Sequence, residues 1–226
     1  MRVGKAIVLA MVVALMVSCG GSEMEGPERS RFEGVNELSM EVERGDITIF
    51  GQPEGDGATV DRWHSGEDNF EAWELRQVGR EVVARGRCVA GVRCRSRFDL
   101  QLAADSAMDV EVERGDIRVY RGEGPLRLKV DRGDVEAASM RHSRVDMEVG
   151  RGEGELHFDE APNHLRLVLG VEATATVTLP KQRYRCEFDP ERVSFEGMED
   201  LQCHGHVAQG LEIVPDDAQV QLRFED

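Results

Sequence analysis

Two segments seventy residues apart, Met40-Glu41-Val42-Glu43-Arg44-Gly45-Asp46-Ile47 and Val110-Glu111-Val112-Glu113-Arg114-Gly115-Asp116-Ile117, are nearly the same string, and weaker copies follow the second. Such self-similarity marks a chain built from stacked units, none of which can bury its own apolar face alone. Apolar residues alternate up to each Arg-Gly-Asp and resume alternating beyond it, so every copy reads as strand, tight turn, strand.

Aligning the copies by their turn glycines, Gly115, Gly133 and Gly152, gives spacings of eighteen and nineteen residues. The inward columns are then Val110, Leu128, Met147, Leu167 and Val112, Val130, Val149, Leu169. The outward columns are Asp109, Arg127, Asp146, Arg166 and Glu111, Lys129, Glu148, Val168, in which the sign of charge alternates. In a parallel, in-register stack neighbouring strands lie ~4.8 Å apart, so each charge would sit beside an opposite one above and below. The fold expected is therefore all-β, a single domain of short stacked strands resembling a β-helix, with an antiparallel β-sandwich as the alternative. Ahead of the tandem copies, residues 58–63, 73–78 and 81–84 read as antiparallel strands, with Gly79-Arg80 as the turn between the last two.

The turn motif has a structural explanation. Gly45, Gly115 and Gly133 supply positive φ, and Asp46, Asp116 and Asp134 can bond nearby backbone N–H groups. Arg-Gly-Asp is also an integrin-type tripeptide, but a repeat that encodes a turn generates it without selection for binding. A calcium reading competes, since Asp116, Asp134 and Glu153 would form a column of like charge. The neighbouring column of Arg114, Arg132 and Arg151 could neutralise that column without metal, and the Gly-Gly-x-Gly-x-Asp pattern of calcium-binding β-rolls is absent.

The N-terminus carries an address. A basic start, Arg2 and Lys5, precedes twelve apolar residues, 6–17, and then Ser18-Cys19. Twelve residues span only about 18 Å as a helix, short of the ~30 Å hydrocarbon core, which favours a signal segment over a permanent span. The Ser-Cys ending resembles a bacterial lipoprotein box, which implies lipidation of Cys19 and membrane attachment through acyl chains. Domain limits follow: a signal peptide over 1–18, anchor and flexible tether over 19–31, and one β-repeat domain over 32–226. Gly20 stands where some inner-membrane lipoproteins carry a retaining Asp, pointing to the outer membrane of a bacterial envelope, periplasm-facing or at the cell surface.

With Cys19 assigned, Cys88, Cys94, Cys186 and Cys203 remain, and an even count in an exported chain suggests disulfides. Three connectivities are possible, of which the local pairs Cys88–Cys94 and Cys186–Cys203 are preferred because each closes a loop outside the repeats. Without the signal segment, 26 basic residues face 44 acidic ones, a net charge near −18. That balance argues against nucleic acid as a partner and against lying flat on anionic lipid. Only twelve aromatic residues are present, so the core must be aliphatic.

Through Arg-Gly-Asp-Ile at 44–47 and 114–117, Arg-Gly-Asp-Val at 132–135 and the approach Gln101-Leu102-Ala103-Ala104-Asp105, the chain resembles the bacterial putative-adhesin family of unknown function, also called toastrack or β-helix-type envelope domains. The resemblance spans about residues 37–224. It implies a stack of short strands in the cell envelope, adhesive or signal-linked roles, and no catalytic residues. The excursion at 186–203 departs from that pattern, and the alternation of Ala218, Val220, Leu222 and Phe224 looks like a final strand covering the stack.

An enzyme reading finds little to stand on. Cys203-His204-Gly205-His206 is the densest cluster, yet two His at i and i+2 supply at most half of a structural zinc site, and no motif links it to His64, His142, His157 or His164. The sequence therefore implies a non-catalytic envelope lipoprotein without cofactor that presents a β-repeat surface to an envelope protein or other surface. A calcium- or metal-binding module is the alternative, and a hydrolase ranks below both.

Overall fold

The computed structural model describes residues 24–65, 67–141, 144–180, 184–187, 193–196, 210–215 and 219–225. Strands β1 (Glu25–Glu33), β2 (Glu37–Gln52), β3 (Gly57–His64), β4 (Phe70–Val78), β5 (Glu81–Cys88) and β6 (Ser96–Ala103) precede the tandem copies. Those copies form β7 (Ala107–Arg114), β8 (Ile117–Tyr120), β9 (Leu126–Arg132), β10 (Val135–Met140), β11 (Arg144–Phe158) and β12 (His164–Pro180). The chain ends in β13 (Arg185–Glu187), β14 (Val193–Glu196), β15 (Gly210–Pro215) and β16 (Gln219–Glu225). Among the described residues the only helical piece is the 3-10 turn Glu67–Asn69, and no helix is long and apolar enough to cross a membrane.

Period-2 alternation gives each strand one apolar and one polar side, and the eighteen-residue repeat lets successive copies stack in register. Each coil contributes one strand before its Arg-Gly-Asp corner and one after it, so β2, β11 and β12 each run through both. The strands before the corner pair in the order β4-β5-β2-β7-β9-β11-β12-β15-β13. Those after it pair in the order β1-β3-β6-β2-β8-β10-β11-β12-β16-β14. From β5 and β6 onward every pairing along the stack is parallel, which rules out the antiparallel sandwich; antiparallel pairs occur only where β1, β3 and β4 cover one end.

Both inward columns form as the alternation implies. Val110 pairs with Leu128, Leu128 with Met147 and Met147 with Leu167, while Val112, Val130, Val149 and Leu169 follow one turn along. All eight are buried, and each such side chain contributes roughly 1.5–3 kcal/mol. The two strand rows face each other across this core: the Cε of Met147 occupies the space beside Gly154, where a Cβ would come within 2.8 Å of it. A cluster of aromatic residues marks the covered end, where Trp73 of β4 stacks on Phe98 of β6 with ring centroids 5.3 Å apart.

Three parts of the topology differ from the sequence reading. Residues 25–31, placed in the tether by their polar composition, belong to β1, which covers the open edge of β3 and is clasped by the ion pair of Arg29 with Asp61 at 2.6 Å. β4 and β5 do form the expected antiparallel hairpin about Gly79-Arg80, but β5 is not confined to it: with β6 it makes the first coil of the stack, both pairing parallel with β2. Lastly, β16 does not cover the stack: it lies between β12 and β14, so segments of the excursion after residue 180 hold the outermost place among the described strands.

Candidate functional site

The Arg-Gly-Asp corners stack into a continuous ridge. Gly115, Gly133 and Gly152 have φ of 138°, 142° and 132°. Positive φ alone does not explain them, because a Cβ on Gly133 would also overlap the carbonyl oxygen of Gly115, and one on Gly152 that of Gly133. These three corners thus need glycine twice over, for backbone angle and for the approach of the coil beneath, whereas Gly45 lacks the positive φ expected of it and is required only by the close approach of Ser96. On the first coil the fully buried Ser96 takes the place beside Gly45 and donates its hydroxyl to the carbonyl of Arg44 at 2.9 Å.

The acids form a second ladder beside the glycines. The Oδ1 of Asp46 accepts the N–H of Asp116 at 3.3 Å, Asp116 accepts that of Asp134 at 3.1 Å, and Asp134 accepts that of Glu153 at 2.9 Å. Their charge is met by Arg95, 3.0 Å from Asp46, and by Arg118, 3.0 Å from Asp116. The cations expected in this role, Arg114, Arg132 and Arg151, do not supply it. Arg114 and Arg132 pair in register with each other two residues ahead of the acids, and Arg151 pairs with Glu172 at 3.0 Å. Asp46 and Asp116 are thereby each held by a backbone amide and a guanidinium and Asp134 by an amide, and among the described residues no three His, Cys, Asp or Glu side chains converge with metal-ligand spacing.

The outward columns have the expected register but not all of the expected contacts. Asp109 pairs in register with Arg127, Arg127 with Asp146 and Asp146 with Arg166. Arg127 reaches Asp109 at 3.0 Å and Lys129 reaches Glu111 at 2.7 Å. The hydrogen bonds they donate to those acids hold both cations above their ordinary pKa values. Asp146 instead takes Arg144, two residues back on its own strand, at 2.9 Å, with His164 3.5 Å away. Arg166 turns the other way, to Glu212 at 3.4 Å. The continuous ladder is therefore broken into pairs, because a same-strand neighbour competes for Asp146.

Four residues beyond the acid ladder, at the far end of the strands that leave the ridge, lies an aromatic pair of which Phe50 is exposed and Tyr120 half-buried. Phe50 and Tyr120 stack with centroids 5.2 Å apart on adjacent coils, and the hydroxyl of Tyr120 donates to Glu136 at 2.9 Å. Burial and then that hydrogen bond push the phenol above its ordinary pKa. At the opposite corner Arg121 and Ser139 both adopt left-handed backbone, with φ of 60° and 55°, and line a cavity of about 330 Å³ with Arg141 and Asp159. No sequence signal marks these two positions, since neither is Gly, Asn or Asp.

The covered end holds a buried polar cluster that sequence reasoning also missed. Arg62 and His64 lie on the inward side of β3, each under 4% exposed, and Glu28 of β1 reaches them at 3.3 and 3.5 Å. The Arg62 guanidinium sits 4.1 Å from the centroid of the Trp73 ring, a stacking that offsets part of its desolvation. Cys88 and Cys94 are joined by a disulfide. It closes the corner between β5 and β6, where the first coil lacks an Arg-Gly-Asp turn. Cys19, Cys203, His142, His204 and His206 lie outside the described residues, as does the side chain of Cys186.

No protein-family model matches the chain, and no curated relative matches it. Among solved structures it is similar to a putative cell adhesion protein from Clostridium sporogenes, with 12% identity, 88% of this chain and 100% of that chain covered, and a TM-score of 0.43. It is also similar to a putative adhesin from Bacteroides fragilis, with 7% identity, 89% and 98% of the two chains covered, and a TM-score of 0.44.

Proposed function

We propose that this chain is a non-catalytic lipoprotein of the bacterial envelope, anchored through Cys19, whose stacked coils hold a surface for a protein partner. One observation carries the reading. The acids of the corner ridge are tied to the neighbouring coils by backbone bonds, whereas Phe50, at the far end of the strands that leave the ridge, stands exposed and is held by stacking on the half-buried Tyr120 of the next coil. A pre-ordered surface of this kind loses little conformational entropy on binding, which favours recognition over chemistry. The short apolar run ending at Ser18-Cys19 supports the anchor, and the surplus of acid supports the exclusion of nucleic acid.

A photoreactive amino acid replacing Phe50 in the full-length chain, activated in intact cells, should trap one discrete envelope protein. Recovery of glycan or divalent metal alone would favour the binding-module alternatives. Replacing Cys19 with Ala should abolish acyl labelling and membrane fractionation, and unchanged membrane association of that variant would refute the anchor.

A further inference from the structure

The disulfide loop at the covered end carries an exposed apolar tip on a fixed base. Between Cys88 and Cys94 lie Val89, Ala90, Gly91, Val92 and Arg93, four residues without a polar side chain followed by a cation. The N–H of Val92 donates to the carbonyl of Val89 at 3.0 Å, and Gly91 at φ 79° supplies the left-handed third position of a type II turn. The base of the loop is fixed on both sides: Val89 N–H donates to Asn69, Cys88 N–H to the Glu43 carboxylate, and Arg95 and Ser65 exchange two bonds at 2.9 and 3.0 Å. Despite this fixation the tip is bare, with Val92 among the exposed large apolar side chains at 37%.

Charge and tether place the same loop toward the bilayer. From Arg85 to Arg97 the chain carries five arginines and no acid, within a protein holding 44 acidic residues. Glu41 serves both Arg85 and Arg87, Asp46 serves Arg95, and Asp99 serves Arg97, while Arg93 has no ion pair among the described residues. Asp68 of the 3-10 turn and Glu71, at the β4 bulge opposite Cys88, are exposed acids beside the loop base. At the same corner the chain enters β1: Glu25 pairs with His64 and His64 with Ser96, which puts the start of the domain about two strand spacings, roughly 10 Å, from the loop base. Because β1 begins at Glu25, the span from Cys19 to Met24 reaches at most about 17 Å fully extended.

We infer that the tip Val89–Ala90–Gly91–Val92 enters the headgroup region of the anchoring membrane, with Arg93 on lipid phosphate, and so orients the stack end-on. The acidic remainder of the surface opposes a flat pose, leaving this end as the one that can approach. The inference rests on the lipidated Cys19 of the proposed function.

The test uses the full-length lipidated protein in vesicles of phosphatidylethanolamine and phosphatidylglycerol with acyl-brominated lipid. Val92→Trp is compared with Val171→Trp, which replaces the most exposed large apolar side chain among the described residues, 62% accessible on β12. The Val92→Trp variant should show a blue-shifted emission and at least about twofold more quenching than the Val171→Trp variant, with Arg93→Glu reducing that quenching. Acylated protein with both variants equally unquenched overturns the inference while leaving the anchor intact. A blue shift in native envelopes but not in vesicles assigns the loop to a protein and overturns it as well. Absence of acyl label on Cys19 removes the anchor and the inference together.

Discussion

The Oδ1 of Asp116 accepts the backbone N–H of Asp134, eighteen residues on, at 3.1 Å. One carboxylate thus ties its own coil to the next at the point where the chain turns. The same bond recurs from Asp46 to Asp116 and from Asp134 to Glu153, so the acid of the motif acts in register and in hydrogen bonding rather than as a free ligand. Asp116→Asn, which keeps the acceptor oxygen, should unfold within a few tenths of a kcal/mol of the parent, whereas Asp116→Ala should lose about 1 kcal/mol. Urea denaturation with calcium and with chelator gives the check: a calcium-dependent gain that Asp116→Asn abolishes would return the column to a metal role.

Glycine at the corner answers to the neighbouring coil as well as to its own φ. Gly133→Ala should therefore cost more than about 3 kcal/mol, combining left-handed strain with overlap on the Gly115 carbonyl. Gly91→Ala, also at positive φ but with nothing near the added Cβ, should cost about 1–2 kcal/mol. Equal losses in the two variants would show that the coils do not approach at the corner.

Tyr120 provides a pH reading of the Phe50–Tyr120 pair. Its folded pKa is raised, so the neutral phenol is the form the fold favours. That contribution is fully present below the unfolded value near 10 and is lost as pH rises through the folded value. Ultraviolet titration of the native protein should show Tyr120 ionising above the ordinary phenol range, and Glu136→Gln should bring it part of the way back. Ionisation at the ordinary value in both proteins would mean that the Tyr120–Glu136 bond does not form in solution.

Much of the stack was legible because its signals are periodic. The turn glycines fixed the coil spacing, alternation fixed the inward columns, and the alternating outward signs fixed parallel register, all before any coordinate was known. The first coil escaped because a disulfide loop replaces its Arg-Gly-Asp corner, leaving β5 and β6 without the motif that aligns the others. β1 read as tether because an edge strand that packs only along one side, with both faces polar, carries no alternation to detect. The place of β16 was hidden for a different reason: pairing order is set by how the chain returns after residue 180, and strand pattern is silent on that. Side-chain partners were the least legible feature, since register brings Asp146 beside Arg127 but competition from Arg144 decides who binds it.

The contact between Asp109 and Arg127 joins residues eighteen positions apart only if neighbouring coils stack parallel and in register. A double-mutant cycle on this pair, by urea denaturation of alanine variants at low ionic strength, isolates that contact. The coupling should be about 0.5 kcal/mol, shrink in high salt, and exceed that of the non-contacting pair Arg127 and Asp146. Zero coupling between Asp109 and Arg127, together with zero between Arg127 and Asp146, would contradict the in-register stack.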